Sequence, residues 1–71
     1  MADERAHLAQ VDRYIAETKE HIRKQEQLIE RLCVRGHNLG KAEDFLSVLV
    51  SSLKVRLQQR LLILDRLQPA P

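Results

Sequence analysis

Tryptophan is absent from this 71-residue chain, and tyrosine and phenylalanine occur once each, as Tyr14 and Phe45. So few aromatic residues argue against the core of a β-sandwich or barrel. Cysteine also occurs once, at Cys33, which excludes a disulfide within the chain. The histidines His7, His21 and His37 lie far apart, with no ligand pair at structural-zinc spacing. No apolar run approaches the ~18–20 residues of a membrane span. The charged opening MADERAH has no apolar segment behind it to act as a secretory signal. The expected setting is therefore cytoplasmic, with Cys33 a reduced thiol and no membrane partner.

Glycine and proline are scarce too, at two each. What remains is rich in Leu, Arg, Glu, Gln and Ala, the composition of a helix former. A net charge of +2 arises from nearly balanced acids and bases. That balance demands neither a nucleic acid nor a membrane surface. The length allows one domain, residues 1–71, and a chain this short buries too little surface to be robust alone. With disulfides and zinc set aside, helix packing and association with another chain are the remaining sources of stability.

Punctuation is concentrated in RGHNLGKAED, residues 35–44, which holds both glycines. Gly36 suits the left-handed position that ends many helices, and Arg31 and Arg35 before it complement the helix dipole. Asn38 is an N-cap candidate, followed by Glu43 and Asp44 near the positive end of the next helix. Pro69 stops that helix. The expected elements are helix 1 over about 3–35, a turn at 36–38, helix 2 over about 39–68 and a tail at 69–71. Near-equal helices joined by so short a turn make an antiparallel, coiled-coil-like hairpin, an all-α fold.

Helix 1 carries a heptad repeat. Leu8, Ile15, Ile22 and Ile29 recur every seven residues, with Val11, Thr18, Gln25 and Leu32 three positions on. Helix 2 offers Ala42, Leu46, Leu49, Val50, Leu53, Leu57, Leu61, Leu64 and Leu67 as the matching stripe. Folding at His37–Asn38 sets Ile29 near Leu46, Ile22 near Leu53, Val11 near Leu64 and Leu8 near Leu67. Thr18 and Gln25 are polar residues in the seam, the kind that fixes register at some cost in stability. Cys33 falls on the core side of helix 1, as a buried and inert thiol.

A second series on helix 2 lies outside that seam: Phe45, Val48, Ser52, Val55, Gln59 and Leu62, with Ile63 at its edge. Single exposed apolar residues are ordinary, but a continuous second stripe marks an interface. In an antiparallel pairing of two copies of helix 2, Phe45 faces Leu62, Val48 faces Gln59 and Ser52 faces Val55. Tyr14, Leu28 and Leu32 widen the apolar arc of helix 1. The expected assembly is a homodimeric four-helix bundle.

Nothing in the pattern points to an enzyme. A two-helix hairpin has no obvious pocket, and no nucleophile–base or carboxylate pair stands out. Glu17 and His21, one turn apart, form half a metal site at most and read as a solvated i,i+4 pair. No catalytic residue, metal ligand or cofactor is expected. Lys54, Arg56 and Arg60 form a run of bases on helix 2 and are candidate contacts to RNA or DNA. Rop-type copy-number regulators, small dimeric hairpins of similar architecture, bind RNA through such faces. Against that reading, the arginines sit beside the apolar stripe, where long basic side chains often cover a seam. The balanced charge of helix 1 also dilutes any phosphate-binding field.

The runs HLAQVDRYIAETKEHIRKQEQLIERL and GHNLGKAEDFLSVLVSSL, taken together, resemble small bacterial helical-hairpin proteins of unassigned function. That group has a Gly-His-Asp/Asn turn followed by an Ala-Glu pair, matched by Gly36, His37, Asn38, Ala42 and Glu43. The resemblance implies a hairpin and a bacterial source, and it implies no activity. The functional expectation is a self-associating interaction or adaptor module, with another protein as the other candidate partner and a nucleic-acid-binding dimer as the alternative.

Overall fold

The computed structural model describes residues 3–68, which form two antiparallel helices, α1 (Glu4–Val34) and α2 (Gly40–Leu67). They lie side by side as a rod with principal extents of 56 × 19 × 16 Å. The expected helix bounds hold to within a residue at each end. Pro69 and the tail at 69–71 lie outside the described residues.

The local chemistry of the ends explains the bounds. Asp3 caps α1, its carboxylate accepting the Arg5 N–H at 3.0 Å. At the other end Gly36 takes φ +74°, a conformation that side chains rarely adopt. Its N–H donates to the Cys33 carbonyl at 3.1 Å, and the His37 N–H reaches back to Leu32 at 3.0 Å. These two bonds form a Schellman motif, which satisfies carbonyls that the end of the helix would otherwise leave bare.

The start of α2 differs from expectation in detail. Leu39 occupies the cap position and makes no side-chain capping bond. Asn38 acts one step earlier, its Oδ1 accepting the Gly40 N–H at 2.8 Å in a turn closed by its own side chain. This also explains Gly40. A Cβ there would lie 3.3 Å from Asn38 Oδ1, tighter than an ordinary contact, so a larger residue would press on the cap.

On α1 the seam follows the heptad. Val11 and Ile15 are buried, and Leu8, Thr18, Ile22, Gln25, Ile29 and Leu32 are half-buried. The tightest cluster is Val11, Ile15 and Ile63, with Leu8, Leu53 and Leu67 packed against it. Gln25 crosses the seam and donates to the Ala42 carbonyl at 2.9 Å. That bond ties one residue of α1 to one position on α2.

The α2 side of the seam corrects the sequence reading. Leu57 and Leu61 are exposed, at 40% and 65%, whereas Ile63 is 1% exposed. Leu64 is half-buried, and the core partner of Val11 is Ile63. The row that turns inward is Ala42, Leu46, Leu49, Leu53, Arg56, Arg60, Ile63 and Leu67. Its steps alternate between four and three residues, the 3.5-residue period that keeps a seam facing its partner. The leucines at 53, 57 and 61 are spaced by four, and each such step advances about 40° around an α-helix. They drift out of the seam. Cys33 needs a similar correction: it is exposed, because Leu32 takes the seam position and its neighbour turns away.

Candidate interaction surface

Two inward positions of α2 are arginines, and each is held by a partner on the opposite helix. Arg56 places its guanidinium 4.7 Å from the centre of the Tyr14 ring and donates to Gln59 Oε1 at 3.1 Å. Arg60 donates to Asp12 Oδ1 at 2.7 Å. Their aliphatic stems cover the seam while the heads reach its two opposite edges. Lys54, the third of the run of bases, is exposed. The structure therefore does not gather Lys54, Arg56 and Arg60 into one open basic patch.

The arginine contacts define two faces of the hairpin. On the first, His7, Tyr14, His21 and Leu28, spaced by seven along α1, edge the seam on the side of Phe45 and Gln59. His7 and Gln59 meet there at 3.3 Å, with the Gln59 amide donating to the imidazole. Phe45 shares an open depression with His21, Lys24, Gln25, Leu28 and Arg31. On the second face, Asp12, Ile15, Ala16 and Lys19 line a depression with Leu57 and Arg60, and the Asp12–Arg60 pair crosses it.

Exposed apolar side chains are divided unequally between the faces. Phe45, Val48, Val55 and Leu62 are all more than half exposed, and Tyr14 and Leu28 extend the same face onto α1. Ser52 is exposed among them, so five of the six residues of the expected association stripe lie open. Gln59, the sixth, is half-buried and turned toward α1 by its bonds to His7 and Arg56. Ile63, expected at the edge of this stripe, belongs to the core. The second face has Leu57 and Leu61, interrupted by charge.

The contribution of the α1 edge to the first face was only partly legible. Tyr14 and Leu28 stand out by apolarity, but the seven-residue column that joins them to His7 and His21 is the stronger signal.

Chemically the surface offers contact area and little else. Among the described residues no three His, Cys, Asp or Glu side chains gather where they could hold a metal ion. Glu17 and His21 are both exposed on α1. Arg23 hydrogen-bonds to Glu20 on the solvent side of α1, which lowers the Glu20 pKa and raises that of Arg23. No helix among the described residues is long and apolar enough to cross a membrane. Comparison with protein-family models, curated proteins and solved structures returns no match. The resemblance to small bacterial hairpins therefore rests on its turn and heptad residues alone.

Proposed function

We propose that this chain is a non-enzymatic interaction module that self-associates through its first face, giving a homodimeric four-helix bundle. The observation that carries this reading is the open row Phe45, Val48, Val55 and Leu62 on a hairpin that lacks the mass for a large core of its own. Water-exposed apolar rows of this length are characteristic of surfaces that are covered in the working state. A second copy supplies such a cover with no other component.

Light scattering of wild type and Val55→Glu at micromolar concentration tests the proposal. Val55 is 60% exposed, so a glutamate there is solvated in a monomer and desolvated in a dimer. The expected result is a dimeric wild type and a monomeric variant of unchanged helix content. Equal masses for the two proteins would overturn the role of this face.

Nucleic-acid binding through Lys54, Arg56 and Arg60 is the weaker reading, because two of the three charged heads already have partners within the hairpin. Salt-sensitive binding that is lost in Arg56→Ala with Arg60→Ala would restore it.

A further inference from the structure

His7 is half-buried between the two helices, whereas His21 and His37 are exposed. Its imidazole closes a chain of contacts along the edge of the first face. The Arg56 guanidinium lies over the Tyr14 ring at 4.7 Å and donates to Gln59 Oε1 at 3.1 Å. The Gln59 amide nitrogen in turn meets His7 Nε2 at 3.3 Å. A guanidinium has only donors, so the oxygen of Gln59 faces Arg56 and its NH2 group faces His7. An amide NH2 group donates and does not accept. His7 Nε2 is therefore the acceptor, which requires a neutral ring carrying its proton on Nδ1.

We propose that His7 is a proton-operated latch on this edge, closed while the imidazole is neutral and open once it is charged. A protonated ring bears N–H on both nitrogens and cannot accept from Gln59. Turning the amide over would offer Oε1 to His7, but it would also aim the NH2 group at the Arg56 guanidinium. One glutamine cannot serve both cations. Proton uptake therefore releases Gln59 either from His7 or from Arg56. Gln59 stands between Val55 and Leu62 in the second series of α2, so its release changes the surface that the first face presents. The latch belongs to the hairpin itself and operates whether or not a second copy covers the face.

The surrounding charges leave this hydrogen-bond requirement in control. On α1, Asp3 and Glu4 lie one turn before His7, and carboxylates there favour a charged ring. Asp3 is committed to the helix cap, its carboxylate accepting the Arg5 N–H. Glu4 faces Arg66 of α2 at 3.8 Å, which offsets its charge. From α2 the charged groups on this side are Arg56 and Arg66, and both disfavour a further cation beside them. Arg60 turns to the opposite edge, where it binds Asp12. Asp65 lies away from the seam, in a depression with Gln58, Leu61 and Leu62.

The sign of the effect follows from linkage. A folded state that disfavours the charged imidazole is most stable while the ring is neutral, and it loses that contribution as pH falls through the imidazole range. A carboxylate in place of the Gln59 amide does the opposite. It accepts from Arg56 and from a charged His7 together, so the folded state then favours the proton.

Long-range proton–nitrogen NMR correlation of the imidazole rings tests the latch on the unmodified protein. The expected result at neutral pH is His7 with its proton on Nδ1, while the exposed His21 and His37 favour the Nε2–H form usual for a solvated histidine. A proton on Nε2 of neutral His7 would overturn the proposal. Urea unfolding at about pH 8 and about pH 5, at one protein concentration, gives the second readout. The midpoint should fall further in wild type than in His7→Ala. The lead of Gln59→Glu over the double variant Gln59→Glu with His7→Ala should instead widen in acid. Equal pH dependence in wild type and His7→Ala, or a lead that narrows in acid for Gln59→Glu, would contradict the latch.

Discussion

Ile63 and Leu62 are adjacent leucine-like residues on one helix, yet the first is 1% exposed and the second 61%. Ile63 belongs to a row repeating every 3.5 residues and packs on Val11 and Ile15. Leu62 belongs to the row of Val48 and Val55, also spaced by seven, which no part of the hairpin covers. Both rows keep the spacing that holds a seam straight. One has found its partner inside the chain and the other has not. By contrast, the four-spaced leucines Leu53, Leu57 and Leu61 wander from the seam to solvent, so leucine content alone does not distinguish a stripe from a spiral.

The largest expected break in this comparison comes from the core row. Ile63→Ala should destabilise the fold by about 2–5 kcal/mol, the range for large-to-small changes at a packed site. Urea unfolding followed by circular dichroism reads the loss directly. Its neighbour behaves differently: Leu62→Glu should weaken the dimer about a hundredfold, or ~2.7 kcal/mol, while helix content stays at the wild-type level. Sedimentation over a concentration series separates these two outcomes.

Gly36→Ala comes next, at about 1–2 kcal/mol, because the left-handed turn would then carry a Cβ. Stability to urea should fall without a change in the fraction dimerised at saturating concentration. Leu61→Ala sharpens the contrast from the other side. Being exposed and outside both rows, it should shift stability by no more than about 0.5 kcal/mol. A larger loss would place Leu61 in an interface that the two-face account does not contain.

The smallest effect concerns pH. Glu20 is held below the ordinary glutamate pKa by its bond to Arg23. A depressed carboxylate contributes stability above its unfolded pKa, and that contribution disappears as pH falls through the folded value. The pair is fully solvated, so the effect is slight. Glu20→Gln should differ marginally from wild type at neutral pH and coincide with it in acid, as measured by urea midpoints.

The fold was legible where sequence and geometry share a simple rule. The heptad of α1 needed only counting, and Gly36 marked the turn because few other residues fit its backbone. Gln25 also read correctly as a residue that ties the register. The C-terminal half of the α2 seam was obscured for a physical reason. Arg56 and Arg60 occupy inward positions with their methylene stems, and a reading that equates core with apolar side chains passes over them. Giving those positions to Leu57 and Leu61 then displaced Ile63 from the core. That Phe45, Val48, Ser52, Val55 and Leu62 stay open to solvent was legible, because nothing on the matching face of α1 claims them. Gln59 was assigned by spacing, and only the structure shows it committed to His7 and Arg56.

The central claim is that the open row of α2 is covered by a second copy of the same chain. Sedimentation equilibrium of the unmodified protein at micromolar concentration tests it most directly. The account predicts a single species of twice the 8.3 kDa chain mass. A well-folded helical species at the chain mass itself would contradict it.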